Sequence, residues 1–284
     1  MIAQAALSGT VAIIAGSGVL PFAVARSLQA RGLRPVLFAI RGFCDPAEVA
    51  RFPHHWVAIG QAGRLTRLMH SEGARDVVFI GGLVRPALSD IRLDWGTVKL
   101  VPALAKALRG GDDHLLSGVS RMFEDRGFRI VGVKDVAPEL LMPEGTLTRR
   151  APDAAALADI AIGRDVLLAI SPFDIGQGAV VIDGHVVAIE GIEGTDGLLA
   201  RVAQLRADKR IRAKPGRGVL VKTPKTDQDL RFDLPTLGPK TVDGICAAGL
   251  AGIGIVAGYS LIADADEMMS KADRAEVFVT GLPP

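Results

Sequence analysis

Through the first half of the chain, short apolar runs alternate with stretches of helical spacing. Residues 11–15, 35–40 and 77–80 are continuous apolar runs of strand length, and 57–59 is a shorter one. Between them, 21–29 and 65–71 read as helices. Leu100, Leu104 and Leu108 give 98–108 helical spacing, 115–125 reads as a further helix, and 129–133 as a strand. Repeated strand-helix units of this kind predict a parallel sheet covered on both faces. The N-terminal half is therefore expected to be a Rossmann-like parallel-sheet domain over residues 1–137.

Pro138, Pro143 and Pro152, with Gly145, interrupt the pattern and predict a linker over 138–152. The second half has a different texture. Asp153 can cap a helix running to about Ile170. Residues 179–182 and 185–189 flank Asp183-Gly184, a dipeptide suited to a type I′ hairpin turn. A helix after Thr195, a strand at 219–222, a helix at 242–248 and strands at 253–256 and 277–279 follow. Residues 153–284 are thus expected to form a mixed α/β domain. The run 245–263 carries no charge, but Gly249, Gly252, Gly254 and Gly258 divide it into a buried helix-strand unit rather than a membrane span.

Composition narrows the picture. The 284 residues are 49% hydrophobic and 23% charged, enough to bury two cores. Thirty-three basic against 31 acidic residues leave a net charge of +2, which gives no global argument for nucleic acid. Cys44 and Cys246 lack metal-ligand spacing and read as two buried free thiols of a reducing, cytoplasmic compartment. The first residues lack a basic n-region and a cleavage pattern, so no secretory signal is expected.

Several loops carry candidate chemistry. "AIIAGSGVLP" has the strand-turn-helix layout that turns backbone N–H groups toward a phosphate, through Gly16, Ser17 and Gly18. It is not a dinucleotide fingerprint: Pro21 stands where the third glycine belongs, and the second strand ends at Arg41 rather than an acid. Ligand contact and a purely architectural turn both remain open readings. Gly81 and Gly82 end another strand, with Arg85 beyond as an anion contact or a surface cation. Asp112 and Asp113 start a helix, where capping explains them as well as binding does. Asp174 and Gln177 lie in a glycine-bearing loop before the hairpin.

After the hairpin, "AIEGIEGTDG" places Glu190 and Glu193 among glycines, with Thr195 as a helix cap. The polar stretch 220–241 offers Lys222, Lys225, Arg231 and Lys240 to anions, and Asp227, Asp229 and Asp233 to Mg²⁺. If 228–233 is extended, Asp229, Arg231 and Asp233 share a face, which fits either a site or a solvated ion-paired edge. The basic run 209–217 fits a solvated loop or contact with an anionic membrane surface.

Taken in order, "IAGSGVLP", "GGLVRP", "GDDHLL", "VKDVAPELLMPEGTLT", "SPFDIGQGAVV", "AIEGIEGTDG", "GVLVKTPKTDQDLRFDLPTLGPKT" and "AGLAGIGIVAG" resemble the LpxI-type UDP-2,3-diacylglucosamine pyrophosphatases over nearly the whole chain. The resemblance implies a cytoplasmic, Mg²⁺-dependent hydrolase of lipid A biosynthesis. Such an enzyme splits UDP-2,3-diacylglucosamine into UMP and 2,3-diacylglucosamine 1-phosphate (lipid X), with substrate held between two domains and water attacking the lipid-side phosphorus. Peripheral contact with the inner membrane and a homo-oligomer are compatible with it. Glu193, by adjacency to Gly-Thr-Asp, matches the family's glutamate.

On this reading Asp229 and Asp233 bind metal or position water, with Asp196 as a further metal ligand and Glu193 in support. Lys222 and Arg231 clamp phosphate oxygens. Gly16–Gly18, Gly81, Gly82 and Arg85 hold nucleotide or diphosphate. Asp112, Asp174, Gln177, Thr195 and Gln228 complete the expected substrate contacts. The rival class is a non-catalytic nucleotide-binding or regulatory protein.

Overall fold

A computed structural model describes residues 7–82, 118, 120–225, 229, 231 and 234–284. The chain divides into two compact units: Met1–Leu140 with Asp229–Asp233, and Leu141–Gln228 with Leu234–Pro284.

The first unit is built on β1 (Thr10–Ala15), β2 (Arg34–Ile40), β3 (His54–Val57), β4 (Asp76–Ile80) and β5 (Arg129–Ile130), in the spatial order β3-β2-β1-β4-β5. All its described pairings are parallel. The helices α1 (Leu20–Ala30), α2 (Pro46–Val49) and α3 (Ala62–Ser71) lie in the connections between the first four strands. Strand order reverses between β1 and β4, and open parallel sheets bind ligands beyond the strand ends at such a point. The inner strands β1 and β2 are apolar along almost their whole length, as strands buried on both faces must be. Ala12, Ile14, Val36, Phe38, Val77, Met122, Phe123 and Ile130 form their shared core.

Two expected elements are displaced. β3 starts at the polar His54, not at 57, because it is an edge strand and its paired row runs His54 to Val57 against Leu37 to Ile40. The strand expected over 129–133 stops at Ile130. There the Asp135 carboxylate accepts the Gly132 N–H at 2.9 Å and caps a short helix, α4 (Val133–Val136). The helix expected at 98–108 lies outside the described residues, whereas 118 and 120–124 are helical.

The second unit centres on a mixed six-stranded sheet in the order β6-β13-β11-β9-β7-β8. Its strands are β6 (Gly145–Thr146), β7 (Gly178–Ile182), β8 (His185–Ile189), β9 (Val219–Lys222), β11 (Gly252–Val256) and β13 (Phe278–Leu282). A small parallel pair, β10 (Thr236–Leu237) and β12 (Leu261–Ile262), stands apart from it. Side-chain alternation divides the sheet's two faces. Val219 and Val221 meet Ala156, Ile160 and Leu167 of α5 (Ala154–Ile170). Leu220, between them, joins the core of α6 (Gly194–Ala207), α7 (Pro239–Ala248) and α8 (Ala265–Arg274).

Asp153 caps α5 by accepting the Ala156 N–H at 2.8 Å, as the sequence predicts. The predicted hairpin is present, and both turn residues, Asp183 and Gly184, have positive φ, the requirement of a type I′ turn. Among the described residues, no helix is long and apolar enough to cross a membrane. Cys246 corrects the expectation of two buried thiols. It lies on the outer side of α7, one residue past the buried Ile245, and is exposed, while Cys44 is buried.

Candidate active site

In the first unit, the two glycine turns expected to contact ligand are zipped together at the carboxyl ends of β1 and β4. Gly16 N–H donates to Ile80 O at 2.9 Å, Ser17 N–H to Gly82 O at 2.8 Å, and Gly82 N–H to Ser17 O at 3.0 Å. The Ser17 hydroxyl also donates to Gly82 O, at 3.0 Å. This close approach explains the glycines: a Cβ on Gly16 would lie 2.6 Å from Gly82 O, and one on Gly81 would lie 2.7 Å from Ser17 O. The Gly16 and Ser17 amides are therefore engaged within the protein, and an anion here would meet the backbone from Gly18 onward, at the start of α1. Below the turn, the Cys44 thiol donates to Ala15 O and Gly16 O at 3.0 and 3.2 Å, and burial pushes its pKa up.

The same unit holds Asp229 and Arg231. Arg231 lies in a turn, and the Asp229 carboxylate accepts the Arg231 backbone N–H at 3.1 Å. The Arg231 guanidinium donates to both Asp229 oxygens, through Nε at 3.0 and 3.2 Å and Nη2 at 2.8 Å, and through Nη1 to Glu124 at 2.9 Å. Hydrogen bonding from Arg231 holds the Asp229 carboxyl below the usual carboxylate range, and Asp229 in turn raises the Arg231 pKa. Arg231 is thus already gripped by two carboxylates, one of them, Glu124, absent from the sequence-based list. Arg85, Asp112, Gln228 and Asp233 lie outside the described residues.

The second unit gathers a buried polar centre at one end of β7 and β9. Lys222, the last residue of β9, pairs in register with Gly178 of β7. On the other side of β7, Glu190 follows the end of β8 and donates its N–H to Gly178 O at 2.7 Å. Both side chains are buried, with Lys222 5% and Glu190 9% exposed. Lys222 Nζ donates to Thr195 Oγ1 at 2.6 Å, Thr195 Oγ1 donates to Glu190 Oε1 at 3.1 Å, and Lys222 Nζ stands 3.8 Å from Glu190 Oε2.

Glycines carve the seat for this carboxylate. A Cβ on Gly178 would lie 2.5 Å from Glu190 Oε2, and one on Gly176 would lie 2.4 Å from Glu190 O. Gln177, between them, accepts the Thr223 N–H on its backbone oxygen at 3.1 Å. Thr195 is not the helix cap expected of it. Glu193 occupies that position and Gly194 opens α6, so Thr195 lies in the first turn with its hydroxyl turned to Glu190 and Lys222. The N-terminal dipole of α6 faces the same centre and favours negative charge there.

Other expected residues lie nearer the surface. Glu193 pairs with Arg201 at 2.8 Å, Asp196 with Lys240 at 2.6 Å, and Asp174 with Lys225. Adjacency to Gly-Thr-Asp favours Glu193 in the sequence and gives Glu190 no role. Alternation along β8 carries the missed signal, since Ala188 is buried and Glu190, two residues on, faces the same side. Among the described residues, no group of three or more His, Cys, Asp or Glu gathers to hold a metal ion.

Comparison with known proteins adds the family. The LpxI N-terminal domain matches residues 10–140, and the LpxI C-terminal domain matches residues 143–280. The UDP-2,3-diacylglucosamine pyrophosphatase LpxI of Caulobacter vibrioides is 41% identical over 272 residues, covering 96% of this chain and 97% of that protein. With both domains matched in order along nearly its full length, the chain belongs to the LpxI family.

Proposed function

We propose that the protein hydrolyses the pyrophosphate bond of UDP-2,3-diacylglucosamine, releasing UMP and 2,3-diacylglucosamine 1-phosphate, in a Mg²⁺-dependent reaction. The observation that carries this reading is the near-full-length match to a relative named for that substrate. The geometry suits the chemistry. Phosphoryl transfer to water needs neutralisation of the diphosphate's charge and a positioned nucleophile more than it needs covalent catalysis. The Lys222 ammonium and the first turn of α6 supply positive potential to phosphate oxygens in the second unit. In the first unit, the backbone from Gly18 onward at the start of α1, with Arg85, would contribute nucleotide or diphosphate contacts.

Mg²⁺ prefers hard oxygen donors and takes one or two carboxylates with phosphate and water as its remaining ligands. Asp229 fits that preference, because hydrogen bonding from Arg231 keeps it in the carboxylate form. Asp229, with Asp233, would hold the ion; Asp196, engaged with Lys240 at the surface, would join only by leaving that partner. When bound, the ion would neutralise phosphate charge and orient oxygen atoms for in-line attack. Arg231 keeps the Asp229 oxygens oriented, and Glu193, the residue before α6, supports the start of that helix. The reading places the enzyme in the cytoplasm, in peripheral contact with the membrane that carries its lipid substrate.

The test incubates the purified protein with UDP-2,3-diacylglucosamine and follows UMP. UMP and lipid X are expected with Mg²⁺ and are lost in excess chelator; no UMP in the presence of the metal overturns the hydrolase reading. Asp229→Ala is expected to lower turnover at least a hundredfold, on the scale of losing a group that holds or orients reacting atoms. Unchanged turnover would remove Asp229 from the site and leave the function standing.

A further inference from the structure

Glu190 is a buried carboxylate with a peculiar environment. Its Oε1 accepts from Thr195, while among the described residues Oε2 has no hydrogen-bond donor and faces the Lys222 ammonium at 3.8 Å. Burying two charges is costly, and replacing such a pair with apolar side chains is often neutral or stabilising. Folding alone therefore gives little reason for the pair. The surrounding backbone nevertheless makes room for it, with glycine at both positions where a side chain would strike Glu190.

The hydrogen-bond directions are also fixed. Because the Thr195 proton goes to Glu190 Oε1, the Thr195 oxygen presents a lone pair to Lys222. The ammonium is held between an acceptor on one side and a carboxylate on the other, at the end of β9 and beside the start of α6.

We infer that Glu190 is the positioning residue for Lys222: acting through Thr195, it sets where the ammonium stands when it grips the substrate's diphosphate. This rests on the hydrolase reading above for its catalytic consequence, but not for its structural one. Glu190→Gln keeps the size and an acceptor oxygen while removing the charge, and Thr195→Val breaks the relay without touching either charged group.

The experiment combines kinetics with a direct view of the ammonium. UMP release is measured for the wild type, Glu190→Gln, Thr195→Val, Lys222→Met and the Glu190→Gln/Lys222→Met double variant, at a temperature where circular dichroism shows each to be folded. The ¹⁵Nζ signal of Lys222 is recorded by NMR and assigned by its loss in Lys222→Met. Glu190→Gln and Thr195→Val are each expected to lower kcat/KM about tenfold to a hundredfold, the scale of an ångström's misplacement. In the Lys222→Met background, Glu190→Gln should have no further effect, since the group it acts through is gone.

The protected Lys222 signal of the wild type should broaden or vanish in Glu190→Gln. Losses that multiply in the double variant, or a Lys222 signal unchanged in Glu190→Gln, overturn the inference. If the wild type releases no UMP, the hydrolase reading fails, and the Lys222 signal still decides whether Glu190 holds it. If Lys222→Met does not fold, the signal is assigned by its loss in Lys222→Arg, and an unchanged signal in Glu190→Gln, or wild-type kcat/KM in both Glu190→Gln and Thr195→Val, overturns the inference.

Discussion

Gly178→Ala asks how tightly the Glu190 seat is built. The added Cβ would stand 2.5 Å from Glu190 Oε2, where ordinary non-bonded contact is about 3.5 Å, so the carboxylate must retreat by about 1 Å. Overpacking of this kind costs about 1–3 kcal/mol. Gly178 does not have positive φ, so alanine fits the backbone and regains about 0.5–1 kcal/mol of the entropy a strand glycine loses. The net loss is about 0–2.5 kcal/mol, which lowers Tm by no more than about 10 °C in a unit of this size. Activity should suffer more, because the same displacement moves the support of Lys222 and is expected to lower kcat/KM roughly a hundredfold. Calorimetry and UMP release measure the two effects separately. Gly9→Ala, whose Cβ would meet nothing within 4 Å, is the control. A Gly178→Ala protein with kcat/KM within threefold of the wild type would refute the reasoning, since the seat would then be able to yield without consequence.

Three other predictions follow from the geometry. At 3.8 Å and an effective dielectric constant near 20, the Lys222–Glu190 attraction is about 4 kcal/mol, so Lys222→Met should destabilise by about 3–5 kcal/mol and adding Glu190→Gln should recover most of it; urea melts showing no recovery would contradict this. Asp76, only 1% exposed, is raised by burial but carried below its ordinary pKa by hydrogen bonds from Arg129 and the Ser8 N–H. Its stabilisation is present above about pH 4 and disappears as pH falls through the lowered folded value, so Asp76→Asn should flatten the acid limb of urea midpoints between pH 6 and pH 3. An aromatic disulfide reagent should titrate Cys246 alone in the native protein and both thiols in guanidinium, and native reaction of both would show that Cys44 does not stay under the Gly16 turn.

Much of the fold was legible where one local rule decided it. The runs at 11–15, 35–40 and 77–80 are strands because no amphipathic alternative suits them, and Asp183-Gly184 turns because few other dipeptides accept two positive φ values. The two-residue strands β6, β10 and β12 leave no pattern long enough to read. The site was half legible for a similar reason. Lys222 and Thr195 stood out by type, but Glu190 acquires its meaning only when β9 brings Lys222 onto the register of Gly178, a pairing between residues far apart in sequence. Thr195 reads as a cap because nothing local reveals that Gly194, at φ 70°, starts the helix two residues earlier.

The Asp229–Asp233 stretch belongs to the first unit although the chain on both sides of it belongs to the second. During synthesis this makes the first unit wait for its own final piece. Glu124 leaves the ribosome long before its partner Arg231, with all of Leu141–Gln228 translated in the interval. At about 5–20 residues per second, the 107 residues from one to the other take roughly 5–21 s. A gene cut after Leu140 would encode a first unit that never receives Asp229 or Arg231, so the two units are separable as contact clusters but not as consecutive lengths of message.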